Sequence, residues 1–156
     1  MLQENVLSIP WGASRPEARK VMLGTTGVSF LESRDDGSIG YQYYEGGRFE
    51  NSRILRCQLL FIDDRFSESL VTIAGGLPDH QRMVESLSRK YGRPGHPESG
   101  GINTAEWKYK TGDGTYNTLV CNWAGGLVFV VDSNGKLTER RHEIENRQIL
   151  KMMNAR

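Results

Sequence analysis

Residues 10–24 (PWGASRPEARKVMLG) and 76–92 (GLPDHQRMVESLSRKYG) each have the pattern of a short amphipathic helix that ends at a glycine. In the first segment, Ser14 and Glu17 have the spacing of a capping box, and Gly24 can adopt the left-handed conformation that closes a helix. The predicted inward stripe of the second segment recurs at three- and four-residue spacing: His80, Met83, Val84, Leu87 and Tyr91. Helices this short are unstable alone, so we expect each to pack on a sheet.

Each predicted helix is followed by segments with the alternating apolar and polar pattern of β-strands. The Asp36-Gly37 pair favours a hairpin turn, and therefore antiparallel pairing of the strands beside it. Strands are predicted over residues 28–33, 38–45, 53–62, 66–74, 104–111, 116–123 and 127–132. The pattern indicates two related units, about 10–75 and 77–132, each a helix followed by an antiparallel meander.

A third helix is predicted over residues 138–154, a stretch without Gly or Pro that is rich in Glu, Arg and Lys. The preceding segment 127–131 (LVFVV) is apolar on both faces, so something must cover it. We expect the third helix to pack on this last strand, with use as an exposed oligomerisation or partner helix as the alternative. The predicted fold is a single α+β domain over residues 1–156, whose strands form one continuous or two abutting antiparallel sheets.

The composition argues against several classes of partner. The chain has 20 basic and 19 acidic residues, and this balance does not favour nucleic acid or an anionic membrane surface. No run of about 18 apolar residues is present, so no membrane insertion is predicted. The N-terminus lacks a basic region followed by an apolar stretch, which predicts a cytoplasmic protein; a form from which an export signal had been removed would be periplasmic.

The two cysteines, Cys57 and Cys121, do not have the spacing of a metal site. Each lies in a predicted strand on the same side as apolar neighbours, so we expect buried, reduced and unreactive thiols. In an exported form the two could pair as a disulfide.

The sequence contains no recognisable catalytic arrangement. Its histidines are His80 on a helix, His96 in a Gly/Pro-rich loop and His142 on the last helix, and no Gly-x-Ser-x-Gly motif surrounds a serine. We therefore predict a protein that is not an enzyme, without metal or cofactor. The alternative is a small-molecule binder or small hydrolase that uses loop 94–101 with His96, and it predicts a deep pocket beside that loop.

The candidate binding residues lie on the face of the sheet that we expect to point to solvent. Alternation along residues 104–111 turns Trp107 and Tyr109 inward and the intervening charged side chains outward. The polar residues predicted to share the outward face are Tyr44, Arg56, Gln58, Lys108, Lys110 and Asn122. The predicted function is a protein-binding or assembly module, in which this face or the last helix engages a protein partner or a second copy of the chain.

Four phrases occur in a suggestive order: IPWGAS (9–14), LLFIDDRF (59–66), RKYGRP (89–94) and AEWK (105–108). Over residues 8–131 the chain resembles a loosely defined family of small uncharacterised bacterial domains, often carried on exported or lipid-anchored proteins. The resemblance implies no established activity and no catalytic residues. The chain departs from the family pattern in its charged last helix and in showing no export signal. More distantly, it is similar to two-repeat helix-plus-sheet modules that bind proteins through a concave sheet, which implies a fold but not a function.

Overall fold

The computed structural model describes residues 4–96 and 103–155. In these residues the helices are α1 (Arg15–Leu23), α2 (Leu77–Tyr91) and α3 (Gly135–Asn154). The strands are β1 (Val28–Asp36), β2 (Ile39–Gly46), β3 (Arg48–Phe49), β4 (Ser52–Ile62), β5 (Arg65–Ala74), β6 (Thr104–Lys110), β7 (Tyr116–Ala124) and β8 (Leu127–Asn134). The predicted α+β class and the third helix are confirmed.

The strands form one antiparallel sheet in the order β1-β2-β4-β5-β8-β7-β6, and the short β3 pairs with β4. Its centre is the pairing of β5 with β8, which runs from Glu68 opposite Ser133 to Ala74 opposite Leu127. These are the last strands of the two predicted units. The units therefore share one continuous sheet rather than two abutting sheets.

The inner face of the sheet carries the main core, which α1, α2 and the N-terminal segment cover. Trp11 of that segment stacks on Phe66 with ring centroids 5.0 Å apart. The large side chains that are at most 2% exposed on this face include Trp107, Tyr44, Phe61, Phe66, Leu59 and Leu119. Burial of such side chains stabilises the fold. The two short helices would be unstable alone and are held by packing on this core.

Local signals position the first helix as predicted. The Ser14 hydroxyl accepts a hydrogen bond from the Glu17 N–H (3.3 Å) and donates one to the Glu17 carboxylate (3.0 Å). The hairpin between β4 and β5 turns through Asp63 and Asp64, whose φ angles are +50° and +61°. Aspartate tolerates this left-handed region better than most residues.

The outer face is covered in part by α3. Leu137 and Ile144 are the buried residues of this helix, and Ile144 packs with Ile39, Leu60 and Ile62. The Asn134 side chain caps the helix by accepting from the Leu137 N–H at 3.1 Å. The helix also contacts β8, so the predicted packing of the C-terminal helix on the last strand is confirmed.

The two cysteines are free and buried on the inner face. They lie in one row across the sheet, Cys57 opposite Val71, Val71 opposite Val130 and Val130 opposite Cys121. Three strand spacings separate them by about 14 Å, whereas a disulfide requires Cα atoms within about 7 Å. The disulfide expected as a possibility for an exported form is incompatible with this sheet order.

Candidate functional site

Five of the six predicted binding residues point to the outer face, and they form two groups. Arg56 and Gln58 lie on β4. Lys108 and Lys110 lie on β6, and Asn122 lies on the neighbouring β7, opposite Thr104 of β6. Four strand spacings, about 19 Å, separate β4 from β6. The predicted surface is therefore two polar clusters on one face rather than a single site.

Tyr44, the sixth predicted residue, is on the opposite face, so this prediction is wrong. Its side chain is 0% exposed, and its hydroxyl donates to Gln42 Oε1 at 2.7 Å. The Gln42 amide in turn donates to the Arg15 carbonyl at 3.3 Å. Both polar side chains can lie on the inner face because each has a hydrogen-bond partner there. Burial raises the pKa of Tyr44 to about 12.

The first cluster surrounds the aromatic ring of Tyr43. The guanidinium of Arg56 lies 4.5 Å from the ring centroid, and that of Arg34 lies 5.7 Å from it. Glu32 holds both, at 3.0 Å from Arg34 and 3.9 Å from Arg56. Tyrosine and arginine in this arrangement are frequent in protein interfaces.

A β-bulge in the edge strand β1 builds half of this cluster. Phe30 faces Tyr44 on the inner side, and the register then shifts at Leu31, so that the next pair is Glu32 with Tyr43. The extra residue turns Glu32 and Arg34 to the outer face. Strict alternation would place Glu32 on the same side as Phe30, which is why the sequence does not indicate this cluster.

The centre of the outer face, between the two clusters, is apolar. Leu70, Val131 and Val120 follow one another across β5, β8 and β7, and Phe129 is in the next row. These side chains are half-buried. This apolar region agrees with the sequence of residues 127–131, which is apolar on both faces of the strand. The helix predicted to cover it, α3, crosses only one end of the outer face.

The second half of α3 exposes an apolar stripe. From Asn146 to Ala155 every residue is exposed. The large apolar side chains among them have exposed fractions of 54% (Ile149), 56% (Leu150), 75% (Met152) and 66% (Met153). At about 100° per residue they lie about 80° to 180° around the helix from Ile144. Three of the four therefore lie more than 90° from the buried side of the helix, and the exposure of all four shows that they do not pack on the chain's own sheet; we call these four residues the α3 stripe.

The alternative site beside His96 is an open groove of about 420 Å³, which His80 and His96 both line. The His80 ring nitrogen Nε2 is hydrogen-bonded to the Cys121 carbonyl at 3.2 Å, and His96 Nδ1 to the Thr104 carbonyl at 3.0 Å. Among the described residues, no side chain hydrogen-bonds to the His96 imidazole. Residues 97–101 of the predicted loop lie outside the described residues.

Comparisons of the chain with known protein families, with curated proteins and with solved structures give no match. Within residues 4–96 and 103–155, no three His, Cys, Asp or Glu side chains group as metal ligands. None of the three described helices combines the length and apolar character needed to cross a membrane.

Proposed function

We propose that this chain is a non-enzymatic assembly module in which the α3 stripe binds a protein partner, and that this partner is a second copy of the chain. The observation that carries the proposal is the exposure of Ile149, Leu150, Met152 and Met153, each more than half exposed on the last turns of one helix. Contiguous exposed apolar side chains of this kind mark interaction surfaces, whereas scattered ones need no explanation.

A second copy suits the stripe because a two-fold contact uses the same patch on both chains. Each buried Ile, Leu or Met side chain contributes about 1.5–3 kcal/mol, and the pairing doubles the number of side chains that gain this burial. A partner of another kind would have to supply its own apolar surface. The stripe is small compared with the roughly 800 Å² per partner of a standard interface, so we expect a weak, concentration-dependent dimer.

The proposal is tested by sedimentation velocity over a range of protein concentrations. The variant Ile149→Glu/Met153→Glu places two charges on the stripe and should remain monomeric where the unchanged chain dimerises. The matched control Gln148→Glu/Asn154→Glu adds the same charge to exposed positions off the stripe and should dimerise like the unchanged chain. Equal behaviour of both variants would contradict the proposal.

The same experiment distinguishes the α3 stripe from the predicted sheet surface. Arg56→Ala and Gln58→Ala remove the two predicted binding residues on β4 without touching α3. If these variants, and not the stripe variant, abolish association, the outer face of the sheet is the binding surface. We expect them to leave the dimer unchanged.

A second candidate function, small-molecule binding, is favoured by the groove that contains His80 and His96. Its volume of about 420 Å³ is within the usual range for ligand pockets. Ligand-observed NMR with a fragment library, comparing the unchanged chain with His96→Ala, would test it. Hits that disappear in His96→Ala would support this function, and an identical hit pattern would argue against it.

A further inference from the structure

A basic groove runs along the outer edge of β6, at the opposite edge of the sheet from β1. It has a volume of about 620 Å³. Its lining residues in the described part of the chain include no carboxylate and four basic side chains: Arg89, Lys90, Lys108 and Lys110. The end of α2 forms one wall, and β6 with Tyr116 forms the other.

The backbone of β6 is open toward this groove. Glu106 exchanges two hydrogen bonds with Gly95, N–H to carbonyl at 2.9 and 2.7 Å, so its backbone groups point away from β7. Backbone groups alternate along a strand, and those of Lys108 and Lys110 therefore point the same way as those of Glu106. In the described part of the chain, Gly95 is the only residue that bridges this edge of β6.

The charge of the groove is only partly compensated. Lys90 contacts Glu50, and Lys108 lies 3.6 Å from Glu106. Among the described residues, neither Arg89 nor Lys110 has a carboxylate within ion-pair distance; the ammonium of Lys110 lies over the Tyr116 ring at 5.6 Å. As far as the described residues go, a strand edge whose donors and acceptors at Lys108 and Lys110 pair with no other strand thus adjoins a surface with excess positive charge.

We propose that this edge binds an extended acidic peptide segment of a partner protein, which adds to the sheet as a strand beside β6. The peptide backbone would hydrogen-bond to Lys108 and Lys110, as in other cases of β-strand addition. Acidic side chains opposite these two lysines would form cross-strand pairs on the outer face. Intervening side chains would point toward Arg89 and Lys90 at the end of α2. This site is separate from the α3 stripe and does not depend on the proposed dimer.

The tyrosines of the groove favour a peptide over single-stranded nucleic acid. Tyr91 and Tyr109 pack on each other with centroids 4.9 Å apart, and Tyr109 is only 5% exposed. The Tyr109 ring is therefore not open for base stacking, and it covers one side of the Tyr91 ring; base stacking is a main source of affinity for single strands. Tyr116 is the one exposed ring among the three, at 68%.

The test uses fluorescein-labelled Glu-Thr-Glu-Val-Glu-Thr-Glu and measures fluorescence anisotropy at low salt. Lys108→Glu/Lys110→Glu should weaken binding by at least about tenfold. The control Lys20→Glu/Lys151→Glu makes the same charge change at exposed positions away from the groove and should alter binding by less than about threefold. N-methylation of the alternate peptide amides that face β6 should also weaken binding by about tenfold or more, because it removes the backbone donors.

Several results would overturn this inference. One is the absence of peptide binding, and another is equal weakening by the two double variants, which would indicate non-specific charge attraction. Unchanged affinity of the N-methylated peptide would exclude strand addition. Tighter binding of a labelled oligothymidylate than of the peptide, lost in Lys108→Glu/Lys110→Glu, would identify the groove as a nucleic-acid site instead. Circular dichroism of each variant establishes that a loss of binding is not a loss of fold.

Discussion

The Tyr109 hydroxyl donates a hydrogen bond to Asp132 Oδ1 across 2.7 Å in the interior of the protein. The second carboxylate oxygen, Oδ2, accepts from the Val6 N–H at 2.9 Å. Asp132 is 0% exposed, and in the described chain no basic side chain pairs with it. Burial, opposed by these two hydrogen bonds, raises the pKa of Asp132 from 3.8 to about 7.

This shift predicts how stability depends on pH. The Asp132 carboxyl keeps its proton to a higher pH in the folded state than in the unfolded state. Its contribution to the free energy of unfolding is therefore fully present below pH 4 and is lost as the pH rises to about 7. The loss is on the order of 4 kcal/mol. Asp132→Asn stays neutral, and its amide oxygen can accept from the Val6 N–H while its amide nitrogen donates to the Tyr109 hydroxyl oxygen, so at pH 8 it should be more stable than the unchanged chain. At pH 4 the two should be similar. Urea unfolding at both pH values checks this, and a less stable Asp132→Asn at pH 8 would contradict it.

The Arg15 side chain lies directly over Gly40, so a side chain at position 40 is predicted to displace it. A Cβ atom at this position would overlap the Arg15 guanidinium, which pairs with Asp35 and, at 3.0 Å, with Asp64. Gly40→Ala should displace Arg15 and lower the free energy of unfolding by about 0.5–1 kcal/mol, because the displaced atoms end a flexible side chain whose ion-pair partners are mostly exposed. Chemical denaturation measures this. The control Gly112→Ala, where a Cβ meets nothing within 4 Å, should change it by less than about 0.5 kcal/mol.

The overlap of Gly40 and Arg15 also predicts that the effects of substitutions at these two positions on stability are not additive. In a chain that already carries Arg15→Ala, adding Gly40→Ala should have little further effect, because the overlapping group is absent. Additive effects of the two substitutions would show that Gly40 is needed for another reason.

Both thiols are predicted to be unreactive in the folded protein. Burial raises the pKa of Cys57 and of Cys121 to about 12, so neither forms the thiolate at neutral pH. A thiol reagent such as 5,5′-dithiobis(2-nitrobenzoate) should label neither native cysteine and both in urea. An intramolecular disulfide formed under oxidising native conditions would contradict the sheet order described above.

The two halves of α3 are predicted to respond differently to truncation of an apolar side chain. Ile144 is 7% exposed and packs on the sheet, so Ile144→Ala should lower the free energy of unfolding by about 2–4 kcal/mol. Leu150→Ala should change it by less than about 0.5 kcal/mol when measured at a protein concentration where the chain is monomeric. Comparable losses at both positions would mean that the end of α3 packs on its own chain.

Much of the fold is predictable from local sequence patterns. Alternation predicted a strand over 66–74 where β5 covers Arg65–Ala74, and the Ser14/Glu17 pair predicted the start of α1. These features depend on residues close in the chain. The strand order is not local in this sense: the central pairing of β5 with β8 joins segments about 60 residues apart, and no turn signal connects them.

The candidate surfaces were less predictable, for two physical reasons. Tyr44 is inward because Gln42 accepts a hydrogen bond from its hydroxyl and itself donates to the Arg15 carbonyl, and such a chain of partners is visible only once α1 is placed. The late apolar residues of α3 were evident in the sequence, but their orientation was not. Whether a side chain such as Ile149 faces a sheet or solvent depends on where the helix leaves the sheet, which periodicity alone does not fix.

The proposed self-association depends on the α3 stripe, and light scattering measures it directly as the molar mass of the protein in solution. The full chain is compared with a chain that ends at Asn146, which retains Leu137 and Ile144 but lacks all four stripe residues. We predict that the mass of the full chain rises toward that of a dimer with concentration, while the shortened chain stays folded and monomeric. A full chain that remains monomeric throughout, or a shortened chain that still dimerises, would contradict the account.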